Sequence, residues 1–113
     1  MRVTQSAVLD PELARQAERL GGLLARLRLA RGIKQADAAL RAGMSRNTAY
    51  RLEKGDPGIA LGQVLRYLDA IAAGMTLMEL LSESDPSLVV LGARERRKRV
   101  RDLSDAELRE LDF

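Results

Sequence analysis

The stretch from Ile33 to Gly55, IKQADAALRAGMSRNTAYRLEKG, decides how the chain folds. It reads as two short helices joined by a tight turn. The first runs from about Gln35 to Ala42, where Gly43 supplies the left-handed backbone that stops it without a Cβ penalty. Met44 follows as an apolar plug. The Ser45 hydroxyl can accept from an otherwise orphaned N–H, so the second helix starts at Arg46 and runs to about Lys54, with Gly55 ending it. Ala49 and Leu52 share an inward face opposite Ala39, and small residues there let the two helices cross closely. The outward face carries Arg46, Asn47, Tyr50 and Arg51, side chains that donate to guanine, adenine or phosphate when a helix N-terminus enters a major groove.

Composition narrows the rest. At 113 residues the chain is one domain with a tail, and an apolar fraction of 46% with only 3% aromatics requires a core of Leu, Ala, Val and Ile, which favours a helix bundle. With no cysteine and no histidine, disulfides, zinc fingers, thiol nucleophiles and imidazole bases are all removed. The start, MRVTQSAVLDPE, carries no apolar stretch long enough for a signal peptide, and no segment approaches a membrane span, so a soluble cytoplasmic protein is expected. The net charge of +3 hides an uneven distribution. From Ala93 to Arg101 six cations (Arg94, Arg96, Arg97, Lys98, Arg99, Arg101) stand against Glu95 alone, and from Asp102 to Phe113 five acids stand against Arg109. This is either a phosphate-binding arm followed by a protein-binding tip, or a solvated helix.

Working outward, Met1 to Leu9 carries no periodic signal and is expected to be loose. Asp10-Pro11 is a helix start, and Leu13, Ala17, Leu20, Leu24 and Leu27 recur at helical spacing to about Arg31. Gly21 and Gly22 weaken that helix by roughly 1 kcal/mol each, which leaves open one long helix or a break. After the central stretch, Asp56-Pro57-Gly58 makes a turn. Leu61, Val64, Leu65, Leu68 and Ile71 mark an amphipathic helix that Gly74 ends, and Thr76 caps a short helix carrying Leu77, Leu80 and Leu81. From Ser82 to Ser87 the composition turns polar, which sets the expected end of the compact domain. Leu88 to Leu91 fits a strand or more helix, and Ser104 with Glu107 forms a capping box before Leu108 and Leu111.

The central register resembles the Cro/C1-type (XRE) helix-turn-helix DNA-binding family over about Leu20 to Leu81: Arg28 before Gly32, Gln35, Ala39, Gly43, Ser45, Thr48, then Leu52, Glu53 and Gly55. The resemblance implies an all-α fold, a five-helix Cro/C1-repressor-like domain over 20–82, with an N-terminal helical extension over 1–19 and a charged C-terminal tail over 83–113, partly helical or disordered. It implies that Arg46, Asn47 and Arg51 face base edges, that Gln35, Ser45 and nearby Lys34 hold the phosphate backbone, and that Thr48, Tyr50 and Lys54 belong to the same DNA-binding set. It further implies a buried ion pair between Arg28 and Glu53, and homodimer contacts from the last helices, for which Met75, Leu77 and Met78 are candidates alongside a plain core role. Two positions depart from the pattern. Ala38 and Ala42 stand where large aliphatics are usual, and Leu40 stands where a solvated residue is common, so the core there is either tighter or completed by another segment.

These readings point to a sequence-specific DNA-binding regulator, most simply a repressor, binding double-stranded DNA at a pseudo-palindromic operator as a homodimer without a cofactor. The alternative is an antitoxin similar to the HipB-like type, whose acidic end from Leu103 to Phe113 would dock a toxin protein. No phosphate loop, metal-ligand cluster or nucleophile–base pair supports an enzyme, and Tyr50, Tyr67 and Phe113 form no stacking platform for RNA.

Overall fold

The computed structural model describes residues 4–111, with side chains left out at Ser6 and over 103–111. Expectations for Met1–Val3 and Phe113, and for side-chain contacts of Ser104, Glu107, Leu108 and Leu111, fall outside the described residues. Seven helices and no strand occur among those described: α1 (Gln5–Val8), α2 (Pro11–Ala30), α3 (Gln35–Ala42), α4 (Arg46–Glu53), α5 (Leu61–Ile71), α6 (Leu77–Ser82) and α7 (Pro86–Leu111). Helices α2 to α6 are the five of the expected domain.

Helix boundaries follow the local chemistry. The Asp10 carboxylate accepts from the Leu13 N–H at 2.9 Å, ahead of Pro11 at the first helical position. Gly43 takes φ +72°, in the left-handed region, and closes α3. Thr76 and Glu79 exchange bonds with each other's backbone N–H at 3.1 and 3.2 Å, a complete capping box for α6. The first nine residues are not wholly loose, since α1 makes one helical turn.

The core joins Leu23, Leu24 and Leu27 of α2, Ala38, Ala39 and Ala42 of α3, Ala49 and Leu52 of α4, and Val64, Tyr67, Leu68 and Ile71 of α5. α3 packs most extensively on α5. Its buried face is alanine throughout, and Tyr67 of α5 is the largest fully buried side chain among the described residues. Ala38 and Ala42 lie in this α3–α5 packing, while Leu40 is 80% exposed. The apolar stripe of α5 is wider than the face it buries: Leu61 and Leu65 are exposed, and Tyr67 is inside. Met75 and Leu77 pack against the core, whereas Met78 is exposed.

Gly21 and Gly22 do not break α2, and they have different surroundings. A Cβ on Gly21 would lie 2.6 Å from the Gly55 nitrogen and the Leu52 carbonyl oxygen, so α2 and the end of α4 touch backbone to backbone. A Cβ on Gly22 would meet nothing within 4 Å.

The core does not stop between Ser82 and Ser87. Asp85 and Leu88 are both buried, and α7 packs across α2. Leu88 to Leu91 continues α7, and the backbone runs through Ser104 without a break, so no new helix begins there. Arg31 reaches the Asp85 carboxylate at 2.5 Å, and Arg26 holds Glu95 through two bonds of 2.8 and 3.1 Å. Arg26 and Arg28 are two residues apart, about 160° around the helix; one reaches α7 and the other α4, so these helices lie on nearly opposite flanks of α2. Beyond Glu95, residues 96–102 are exposed on every side of α7, which projects and lengthens the molecule to 63 × 33 × 25 Å.

Bonds from the Ser87 hydroxyl and N–H at 2.6 and 2.8 Å, with Arg31, hold the Asp85 carboxyl down at about 2. A depressed carboxylate stabilises the fold at pH values above its unfolded pKa, and that contribution is lost as pH falls through the folded value. Asp85→Asn is therefore expected to cost about 1–2 kcal/mol in urea titrations at pH 7. The difference from the parent should shrink between pH 4 and pH 2; a loss independent of pH would show that the charge is not what counts.

Candidate nucleic-acid interface

α4 is held at the surface with its inward residues Ala49 and Leu52 buried and Ser45, Arg46, Asn47, Tyr50, Arg51 and Lys54 exposed. Ser45 caps it by accepting from the Thr48 N–H at 3.1 Å and donating to the Thr48 Oγ1 at 2.9 Å, which leaves Thr48 half-buried and turned to its own helix. No acidic residue occupies the first turn. Arg46 and Asn47 thus flank the positive end of the helix dipole with no local anion to compete for them.

The remaining candidates are more constrained. The Arg51 Nε donates to Asp56 Oδ2 at 2.7 Å, and the other Asp56 oxygen accepts from the Gly58 N–H at 2.8 Å. The Gly58 N–H and then Arg51 keep the Asp56 carboxyl below the usual carboxylate range. Arg51 is therefore latched to the turn after α4. Lys54 lies 5.5 Å from the Tyr50 ring centroid, a cation–π distance. Lys34 precedes α3 and is exposed, while Gln35 is half-buried and donates from Nε2 to Glu53 Oε1 at 3.0 Å.

Beneath this surface lies a polar knot. Arg28 donates from Nε and Nη2 to Glu53 at 2.7 and 3.0 Å and from Nη1 to the Ile33 carbonyl at 2.9 Å. The Tyr67 hydroxyl and Gln35 also donate to Glu53, so one carboxylate ties α2, α3, α4 and α5 together. Side-chain exposures are 12% for Arg28 and 7% for Glu53. Bonding to Glu53 raises the Arg28 pKa, and burial, then the neighbouring carboxylate, raises that of Tyr67. No buried side-chain nitrogen or oxygen among the described residues lacks a partner.

The structure thus gathers Ser45, Arg46, Asn47, Tyr50, Arg51 and Lys54 on the exposed side of α4, and turns Gln35 inward. Two partners went unread in the sequence: Asp56, whose spacing of five residues from Arg51 across a turn was a signal, and Tyr67, which had none. Within the basic block of α7, Glu95 is bonded to Arg26, on the flank of α2 away from the Arg28–Glu53 pair. Among the described residues no helix is long and apolar enough to cross a membrane, and no cluster of His, Cys, Asp or Glu could hold a metal ion. A family model described as a helix-turn-helix domain matches residues 19–81. No curated protein and no solved structure matches the chain.

Proposed function

The chain belongs to the helix-turn-helix domain family, and from that premise we propose that it is a sequence-specific transcriptional regulator whose recognition helix is α4. The observation that carries this reading is the exposed N-terminal turn of α4, where Arg46 and Asn47 stand beside a capped helix start on a rigid support. Arg46 is suited to bidentate contact with guanine and Asn47 with adenine, and the Ser45 cap and Lys34 to the phosphates on either side. Arg51 joins the base contacts on release from Asp56, with Thr48, Tyr50 and Lys54 packing alongside and Gln35 steadying the support from within.

Two copies bind a pseudo-palindromic operator, with half-sites about one helical turn apart, roughly 34–36 Å. Occupying a promoter in this way represses it. The test is binding to the gene's own upstream DNA at several salt concentrations. Arg46→Ala and Asn47→Ala should each lose roughly 1–3 kcal/mol of specific binding, about 5- to 150-fold, while non-specific binding by Asn47→Ala stays unchanged. Equal, weak binding of parent and variants to any sequence would overturn the assignment of α4 as the reading helix.

A further inference from the structure

From Arg96 onward α7 leaves the body of the protein, and Arg96 to Asp102 are exposed around its whole circumference. The projecting part to Leu111 is 16 residues, about 24 Å of helix, and an isolated helix of that length without an alanine-rich sequence is marginal in water. Contact with a partner surface would stabilise it.

We propose that the projecting half of α7 pairs antiparallel with the same segment of a second copy of this chain. The proposal rests on the dimer reading above and specifies the surface that makes the dimer. Charge selects the occupant and its direction. The cation-rich segment 94–101 is followed directly by the acidic segment 102–112, so antiparallel helices set each basic block against the partner's acidic block. Parallel helices would set like against like.

The heptad register agrees with this. With the two-fold axis between Arg101 and Asp102, position Val100 falls opposite position Leu103 of the partner subunit, and Arg96 opposite Glu107 of the partner subunit. Val100 is 63% exposed. Each apolar layer is thus flanked by a layer of opposite charges, and the surface is self-complementary. Because α7 and α4 lie on opposite flanks of α2, the pairing leaves both recognition helices uncovered.

The test uses the full chain without DNA in sedimentation equilibrium at low and moderate salt. One triple variant, Arg96→Glu with Arg97→Glu and Arg99→Glu, makes both blocks acidic; another, Asp105→Lys with Glu107→Lys and Glu110→Lys, makes both basic. Each alone should weaken self-association at least ~10-fold, and an equimolar mixture should restore it, which a misfolded variant could not do. A variant that associates like the parent, or a mixture that stays monomeric, would overturn the proposal and move the pairing elsewhere, the exposed Met78 surface first. If the acidic variant loses DNA affinity while associating normally, the basic block is a phosphate-binding surface instead. A parent that is monomeric and binds a single half-site would remove the dimer reading as well, so the two failures are distinguishable.

Discussion

Replacing Gly21 with alanine is expected to cost about 3 kcal/mol or more in denaturant titrations, although alanine is the better helix former. Three backbone atoms stand where the methyl would go: the Gly55 nitrogen and Leu52 oxygen at 2.6 Å and the Glu53 oxygen at 2.8 Å. Backbone has no rotamer by which to yield, so α2 must move away from α4, and overpacking of a tight core costs roughly 1–3 kcal/mol or more. Domains of this size have about 5–15 kcal/mol of stability in total, so the loss is a large share. Gly22→Ala is the control. With open space at its Cβ position, it should be neutral or stabilising by about 0.5–1 kcal/mol. Similar effects at the two positions would refute the backbone contact. Gly55→Ala should match or exceed Gly21→Ala, since its φ of +80° disfavours any Cβ and that Cβ would sit 2.3 Å from the Glu18 Cα.

Glu53→Ala should be at least as damaging, at roughly 3–5 kcal/mol. The change strands the Arg28 guanidinium at 12% exposure and removes the acceptor of Gln35 and Tyr67. Restoring neutrality separates the cost of an orphaned charge from the rest: Arg28→Met with Glu53→Leu should recover only the part due to the stranded guanidinium, because Gln35 and Tyr67 still lack their acceptor. Tyr67→Phe leaves Arg28 and Gln35 on the carboxylate and should cost only about 1 kcal/mol. If Glu53→Ala were no worse than Tyr67→Phe by urea titration, the carboxylate would not be the hub that the geometry describes.

What could be read from the sequence was local. Gly43, Ser45, Asp10 and Thr76 announce helix ends because caps act through residues three or four positions away. The role of Gly21 was hidden, since a glycine that breaks a helix and one that admits a neighbouring backbone look the same along the chain. Tyr67 sits among apolar residues as one of two tyrosines, and only the folding of α5 onto α3 brings its hydroxyl to Glu53. The stretch from Ser82 to Ser87 reads as a boundary because its composition is polar; Asp85 within it is buried and bonded to Arg31, 54 positions earlier. Of the candidate reading residues, helical spacing placed Arg46 and Asn47 on the outer face of α4, but spacing alone does not show that Arg51 already has an anion.

The burial of Tyr67 also determines the optical properties of the protein. There is no tryptophan, and the two tyrosines sit in opposite settings: Tyr67 deep in the domain with its hydroxyl on Glu53, Tyr50 exposed on α4 beneath Lys54. Ultraviolet difference spectra therefore divide into two channels. Burial and then the neighbouring Glu53 carboxylate hold the Tyr67 phenol well above its ordinary range, so its phenolate absorbance in alkali marks opening of the core. Perturbation of the Tyr50 band alone then registers an occupant of α4 without any attached label.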